Sequence, residues 1–424
     1  LQAESRASDA EVRAALDWFL DVVPDRSALE QRIRRAQQYY RTQSAPNGLH
    51  WPETARLVLS DDLIACCLAQ GAALLDDRRS YDRVLGAQIV PFLASIGQQV
   101  ELLRRRPGAT ERVRRMLHPR LEYPGAGLLE LAAAARYARE DFDVAFAAES
   151  GRAAGDLAIR IAEIPRAMEV ECRALRRSRY ELRERALARR LFAPLAQFIH
   201  ARALSLDVEV GFGSALEHVP ENYLVEHALG AVASPSSLPE GHRWRDEFGE
   251  GVVRSVVLDR IGSAMRTAPL TGDAQMAQLL SGRAVPRDAF LLAMKARPDA
   301  QDPRLVAEVD YASVLSWHCL AEESLGARVR QLRLELDSID RQLANADVGI
   351  VHIGMEGECD AVTADHRRSE NLKVLRAFNP RSRIAELHLH YFQPLAPEAV
   401  DRHSRWHGFL LEDARLLPPV PGAP

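Results

Sequence analysis

VGIVHIGMEGECDAVTADHRRSENLKVLRAFNPRSRIAELHLHYFQ, residues 348–393, carries the clearest change of period in the chain. Its first residues, Val348, Ile350, Val351 and Ile353, are apolar on both faces, which a strand tolerates when it is covered on both sides, as in a parallel sheet. From Ala364 to Phe378 the spacing becomes helical: Leu372, Leu375 and Phe378 face inward, Thr363 is placed to cap, and Asn379-Pro380 stops the helix. Period two then returns, with Ala385, Leu387, Leu389 and Tyr391 on one face and Ile384, Glu386, His388, His390 and Phe392 on the other. The stretch therefore predicts a βαβ unit, with its ligand side beyond the carboxyl ends of the strands.

That end of the unit selects the acidic loop at 355–360, with Glu356, Glu358 and Asp360 as candidate metal ligands. Gly354 and Gly357 do not make a phosphate loop, because no GK[ST] follows them. Glu386, His388 and His390 alternate along one strand face and are the candidate catalytic set: carboxylates and an imidazole to hold Mg²⁺, Mn²⁺ or Zn²⁺, a second imidazole to shuttle a proton. The plainer reading makes the same three residues the solvated face of an edge strand. His403 and His407 follow at helical spacing, and six of the 13 histidines lie between His352 and His407.

Working back toward the amino terminus, Leu325, Val329, Leu332, Leu336, Ile339 and Leu343 form an a/d seam of about three heptads. It predicts a long helix that feeds into the strand at Val348. Its expected partner is a helix at 304–320 folded back as a hairpin, favoured over the same helix in a second subunit. Residues 8–205 read as helix after helix, opened by the capping-box signatures Ser8-x-x-Glu11 and Ser27-x-x-Glu30. A short strand is predicted at 207–212 and further helices at 252–265, 273–280 and 286–296. The fold class read from the sequence is accordingly mainly α: a helical domain at 1–205, a second helical region at 206–345, and a small C-terminal α/β (βαβ) unit at 346–424 with a Pro-rich tail.

Arginines are abundant, and Lys295 and Lys373 are the only lysines among 55 basic residues. That ratio fits a GC-rich bacterial genome. Two clusters stand out: Arg104 to Arg106 with Arg112, Arg114 and Arg115, and the run from Arg173 to Arg190. Arg173, Arg176, Arg177 and Arg183 are the candidate nucleic-acid contacts, against the alternative of solvated helices with local Glu–Arg pairs. Arg112 and His118 fit a loose Arg-x5-His spacing of the kind helical RNases use, which two common residue types meet easily. Glu217, His218, Glu221, Glu226 and His227 are further polar candidates without a diiron spacing.

A net charge of −4 gives no global pull toward nucleic acid. No apolar run reaches the length of a membrane span, and the five cysteines show no CxxC or framework spacing. Cytoplasm is the expected compartment. The chain starts at Leu1 rather than Met, which leaves room for an upstream portion.

The C-terminal unit resembles nucleotide-binding and nuclease cores in outline, without GxGxxG, GK[ST], or an Asp followed by Glu-x-Lys on adjacent strands. Glu386-x-His388 has His where that Lys is expected. Two functions follow as expectations. One is an intracellular protein whose helical part binds a protein or nucleic-acid partner and whose α/β unit is a metal-dependent hydrolase or ligand site. The other is a non-catalytic helical scaffold.

Overall fold

The computed structural model describes residues 8–42, 62–77, 81, 83–119, 125–147, 156–160, 168–175, 179–256, 258, 273–283, 285, 289–298, 300, 306–356, 361–394 and 408–416. Two mixed β-sheets organise them, so the expectation of a mainly α chain with one small α/β unit is overturned. The first sheet has six strands: β1 (Asp143–Phe146), β2 (Leu157–Arg160), β3 (Met168–Ala174), β9 (Gly349–Glu356), β10 (Ile384–Pro394) and β11 (Gly408–Leu416), side by side in that order. β1, β2 and β3 form an antiparallel meander, β3, β9 and β10 run parallel, and β11 closes the edge antiparallel to β10. The βαβ unit of 348–393 is thus present but is part of a larger sheet, three of whose strands come from a segment read as helical.

The second sheet has five strands in the order β5 (His242–Arg245), β6 (Gly249–Ser255), β4 (Leu206–Phe212), β8 (Val306–Cys319) and β7 (Phe290–Pro298). The predicted strand at 207–212 forms as β4. β6, β7 and β8 occupy segments read as helices. β8 explains why: Tyr311, Leu315 and Trp317 enter one core and Ala312 and Val314 the other. A strand covered on both faces is a continuous apolar run, which periodicity does not separate from a buried helix.

Twelve α-helices surround the sheets among the described residues. α1 (Asp9–Val22), α2 (Arg26–Thr42), α3 (Leu63–Asp76), α4 (Arg83–Gln98), α5 (Val100–Arg104), α6 (Ala109–Met116) and α7 (Gly125–Arg139) form the amino-terminal array. The Ser8 capping box closes as predicted: Glu11 N donates to Ser8 Oγ at 3.2 Å and Ser8 N to the Glu11 carboxylate at 2.8 Å. At α2 the cap is Asp25, which accepts from Ala28 N at 2.9 Å, and not Ser27. α8 (Arg179–Arg202) and α9 (Tyr223–Ala233) cover one face of the second sheet, and α10 (Asp273–Ser281) part of the other.

α11 (Glu322–Gln342) is the predicted heptad helix. With β8 in place of the expected helix, the seam residues Leu332, Leu336, Ile339 and Leu343 bury instead against α12 (Ala361–Ala377) and the first sheet, through Val374, Leu375, Val351, Ile353 and Leu387. The opposite face of the same sheet packs on the helical array. Val144, Phe146, Leu157, Ile159, Val170 and Ile350 share one core with α1 to α7. The amino-terminal helices and the C-terminal unit are therefore two layers of one sandwich around the first sheet.

Gly354 marks a close approach between the sheet and α7. A β-carbon there would lie 2.6 Å from the Phe392 ring and 3.1 Å from Leu129 Cδ2 of α7. Gly354→Ala is expected to destabilise the fold by about 1–3 kcal/mol through overpacking. A lowered urea midpoint with unchanged m-value would show it; an unchanged midpoint would mean that β10 and α7 yield without cost.

Candidate functional site

α7 lies across the first sheet, and two of its polar side chains, Glu130 and Tyr137, are seven residues apart and hence on one helix face. Each meets a polar group on the sheet below. Tyr137 stands over β9 and β10, Glu130 over β2 and β3.

Beneath Tyr137 is a stack of three imidazoles. In the register of the sheet, His352 on β9 pairs with Cys172 on β3 and with His388 on β10. His390 follows two residues on, so all face α7. The His352 ring is 4.6 Å from His388 and 5.1 Å from His390, with interplanar angles of 13° and 18°. Tyr137 Oη is 2.7 Å from His352 Nε2, His352 Nδ1 is 2.8 Å from His390 Nε2, and His388 Nε2 is 2.9 Å from the Glu386 carboxylate.

β10 is interior, and His352, His388 and His390 are 1%, 7% and 4% exposed, so the expectation of a solvated edge-strand face does not hold. Ile384, expected on the histidine face, packs with Leu387 and Leu389 instead, because a register irregularity falls between Ile384 and Glu386. The nitrogens of His352 and His390 point at one another and share a proton, rather than at a common cation. Burial raises the Tyr137 hydroxyl, and it pushes the Cys172 thiol well above its ordinary range.

Beneath Glu130 is a group of carboxylates. Asp156 immediately precedes β2, and its carboxylate accepts from Cys172 N at 3.0 Å. It is within hydrogen-bonding reach of the carboxyls of both Glu130 and Glu171. Arg112 of α6 sits between, 2.7 Å from Glu130 and 3.3 Å from Asp156. Glu171 on β3 is fully buried and held by Gln342 at the end of α11 at 2.9 Å, and by Arg173 at 2.8 Å. Arg173 also donates to Gln342 at 2.6 Å.

Burial, reinforced by the charge of Asp156, pushes Glu130 up to about 9 and Glu171 up to about 8 in spite of the arginines. Asp156 is raised too, again mainly by burial. Three buried carboxyls this close cannot all ionise at neutral pH, so the group holds protons there.

The remaining candidates are dispersed. Arg183 is exposed and paired with Glu217, and Arg173 is committed to Glu171 and Gln342. Arg176, Arg177, Glu358, Asp360, His403 and His407 lie outside the described residues, as does the side chain of Glu356. Arg112 is turned to Glu130, away from any pairing with exposed His118. His227 stacks on Trp244 at 4.3 Å and bonds to Asp246, apart from Glu217. On the second sheet Asp207 and Glu209 are matched by Arg254 and Arg283, a balanced set of two carboxylates and two guanidiniums.

Among the described residues no group of three or more His, Cys, Asp or Glu side chains is set up to hold a metal ion, and no helix is long and apolar enough to cross a membrane.

The structure does bring together one arrangement that the sequence reading missed. Asp156, just before β2, lies beside Glu171-Cys172-Arg173 on β3, the neighbour of β9, an Asp followed by Glu-x-Arg. A search for Glu-x-Lys cannot find it in a chain whose lysines are Lys295 and Lys373 alone. The signal for it in the sequence is the alternation in LAIR (157–160) and MEVECRA (168–174), which the helical spacing of the arginines from 173 onward obscures. No family model, no curated protein and no solved structure matches the chain.

Proposed function

We propose that the chain hydrolyses phosphodiester bonds of nucleic acid with the aid of a divalent cation held by Asp156 and Glu171. What supports this reading is a carboxylate just before β2 facing one on β3, with a guanidinium two residues on, where burial and mutual repulsion make the carboxyls hold protons that a cation would displace. Hard carboxylate oxygens suit Mg²⁺ or Mn²⁺. Mg²⁺ typically uses one or two carboxylates, with waters and substrate oxygens completing its shell, so a three-residue cage is not required. When bound, such an ion polarises a phosphoryl oxygen and lowers the pKa of water.

The protein's own groups divide the remaining work. Arg173 is always protonated and cannot act as a base; its guanidinium suits a non-bridging phosphate oxygen and the charge that develops there. Gln342 fixes Glu171 and Arg173 relative to each other. Arg112 holds Glu130 against Asp156, and Glu130 and Glu171 both keep protons at neutral pH, of which Glu171 gives up its own first as a cation binds. Cation binding must displace protons, so activity should rise from neutral toward alkaline pH.

The scaffold reading has one observation in its favour. Glu130, Asp156 and Glu171 each already have a protein partner in Arg112, Cys172 N and Gln342, so the network also closes without a cation. Incubating labelled single- and double-stranded DNA and RNA with Mg²⁺ or Mn²⁺, and in parallel with EDTA, separates the two. Cation-dependent cleavage supports hydrolysis, whereas intact substrates under every cation leave the scaffold.

A further inference from the structure

We infer that the outer edge of β5 is a docking strand for an extended acidic segment of a protein partner, which adds antiparallel to the second sheet. The inference does not depend on the proposed hydrolysis, since it concerns the other sheet. β5 is the end strand of that sheet, and among the described residues nothing pairs with its outer side.

The direction of its backbone groups follows from the hairpin with β6. Asp246 N donates to Gly249 O at 2.9 Å, which closes the turn. Bonding along an antiparallel strand alternates between its two sides, so His242 and Trp244 bond toward β6, and Arg243 and Arg245 present N–H and C=O outward. Such a row is a template for one more strand. No proline interrupts 242–245, and no bulge breaks the register of β5 with β6.

The edge is also held in place, which lowers the ordering cost of docking. Trp244 lies across Gly251 of β6, where a β-carbon would come within 2.3 Å of the indole. Its Nε1 donates to Tyr223 Oη of α9 at 2.8 Å. The Asp246 carboxylate accepts from Tyr223 Oη at 3.0 Å and, within the turn, from Phe248 N at 2.9 Å and Gly249 N at 3.1 Å.

Charge selects the partner. The side chains of Arg243 and Arg245 are exposed, on the face opposite Trp244. Arg243 stands across from buried Val252 and has no ion pair among the described residues. Arg245 meets Glu250 at 3.8 Å with 86% and 66% of the two side chains exposed, a contact worth little. Edge arginines guard against a second copy of β5, which would set Arg against Arg. The same charges favour a strand with carboxylates two residues apart, one opposite each guanidinium. Its middle residue falls on the Trp244 side, where an apolar side chain continues the partly buried face. The partner segment therefore reads acidic, apolar, acidic. Glu240 and Glu247 lie beyond the two ends of β5 and confine the favourable stretch to these positions.

Fluorescence anisotropy on the full chain tests the docking strand, with a labelled, end-blocked peptide of sequence Thr-Glu-Ile-Glu-Thr and its Lys-for-Glu counterpart. The acidic peptide is expected to bind at least about tenfold more tightly, with an affinity that falls as salt rises. Arg243→Glu/Arg245→Glu, at two exposed positions, should reverse that preference. N-methylation of both glutamates keeps the charge and removes the backbone donors, and should weaken binding by at least about tenfold. Absence of acidic-peptide binding, equal binding of the two peptides, or undiminished binding of the N-methylated form overturns the inference. A labelled single-stranded oligonucleotide that binds in place of the peptide, and is lost in the charge-reversal variant, also overturns it and assigns these arginines to phosphate.

Discussion

From about pH 6 to about pH 8 the native state is expected to lose about 3 kcal/mol of stability through Glu130 alone. The sign follows from proton counts. Folding raises Glu130 from 4.5 to about 9 because it is buried beside Asp156. Between those values the folded chain holds a proton that the unfolded chain releases, so stability is full at low pH and declines as pH climbs. Glu171, raised to about 8, adds to the same slope.

Glu130→Gln keeps a neutral hydrogen-bonding group in place and should flatten the slope, leaving the variant more stable than wild type at about pH 8. Urea titrations across the pH series give the answer directly. Stability that holds or rises over this window would mean that Arg112, 2.7 Å away, keeps Glu130 ionised in the fold.

Glu171→Gln is expected to cut kcat/KM for nucleic-acid cleavage by about 10³-fold or more, equivalent to about 4 kcal/mol. It removes one of two hard anionic oxygen ligands while keeping the size of the side chain and its bond from Gln342. Replacing a carboxyl that is largely neutral at pH 7 should change stability little there. Intact folding with lost cleavage then points to chemistry, and higher Mn²⁺ or Mg²⁺ should restore part of the rate. Cleavage that survives Glu171→Gln and Asp156→Asn alike would detach the activity from these strands.

Local sequence determined a good deal. The helical spacing of 8–139, the Ser8 capping box, the strand at 206–212, the heptad helix at 322–342 and the βαβ unit ending at His388 and His390 are all decided by short-range periodicity and capping chemistry. β7 and β8 are hidden in the sequence, since a strand buried on both faces loses its alternation and looks like a helix.

The candidate site was less legible still, because its members are far apart in sequence. Glu130, Asp156, Glu171 and Gln342 belong to a helix, two strands and a second helix, and only the insertion of β3 beside β9 puts them together. The pairing of β10 between β9 and β11 converts Glu386-x-His388-x-His390 from an edge pattern into a buried stack on His352. Sequence alone supplied the residue types. The partners came from strand order, which is set by how two helical layers cover opposite faces of one sheet.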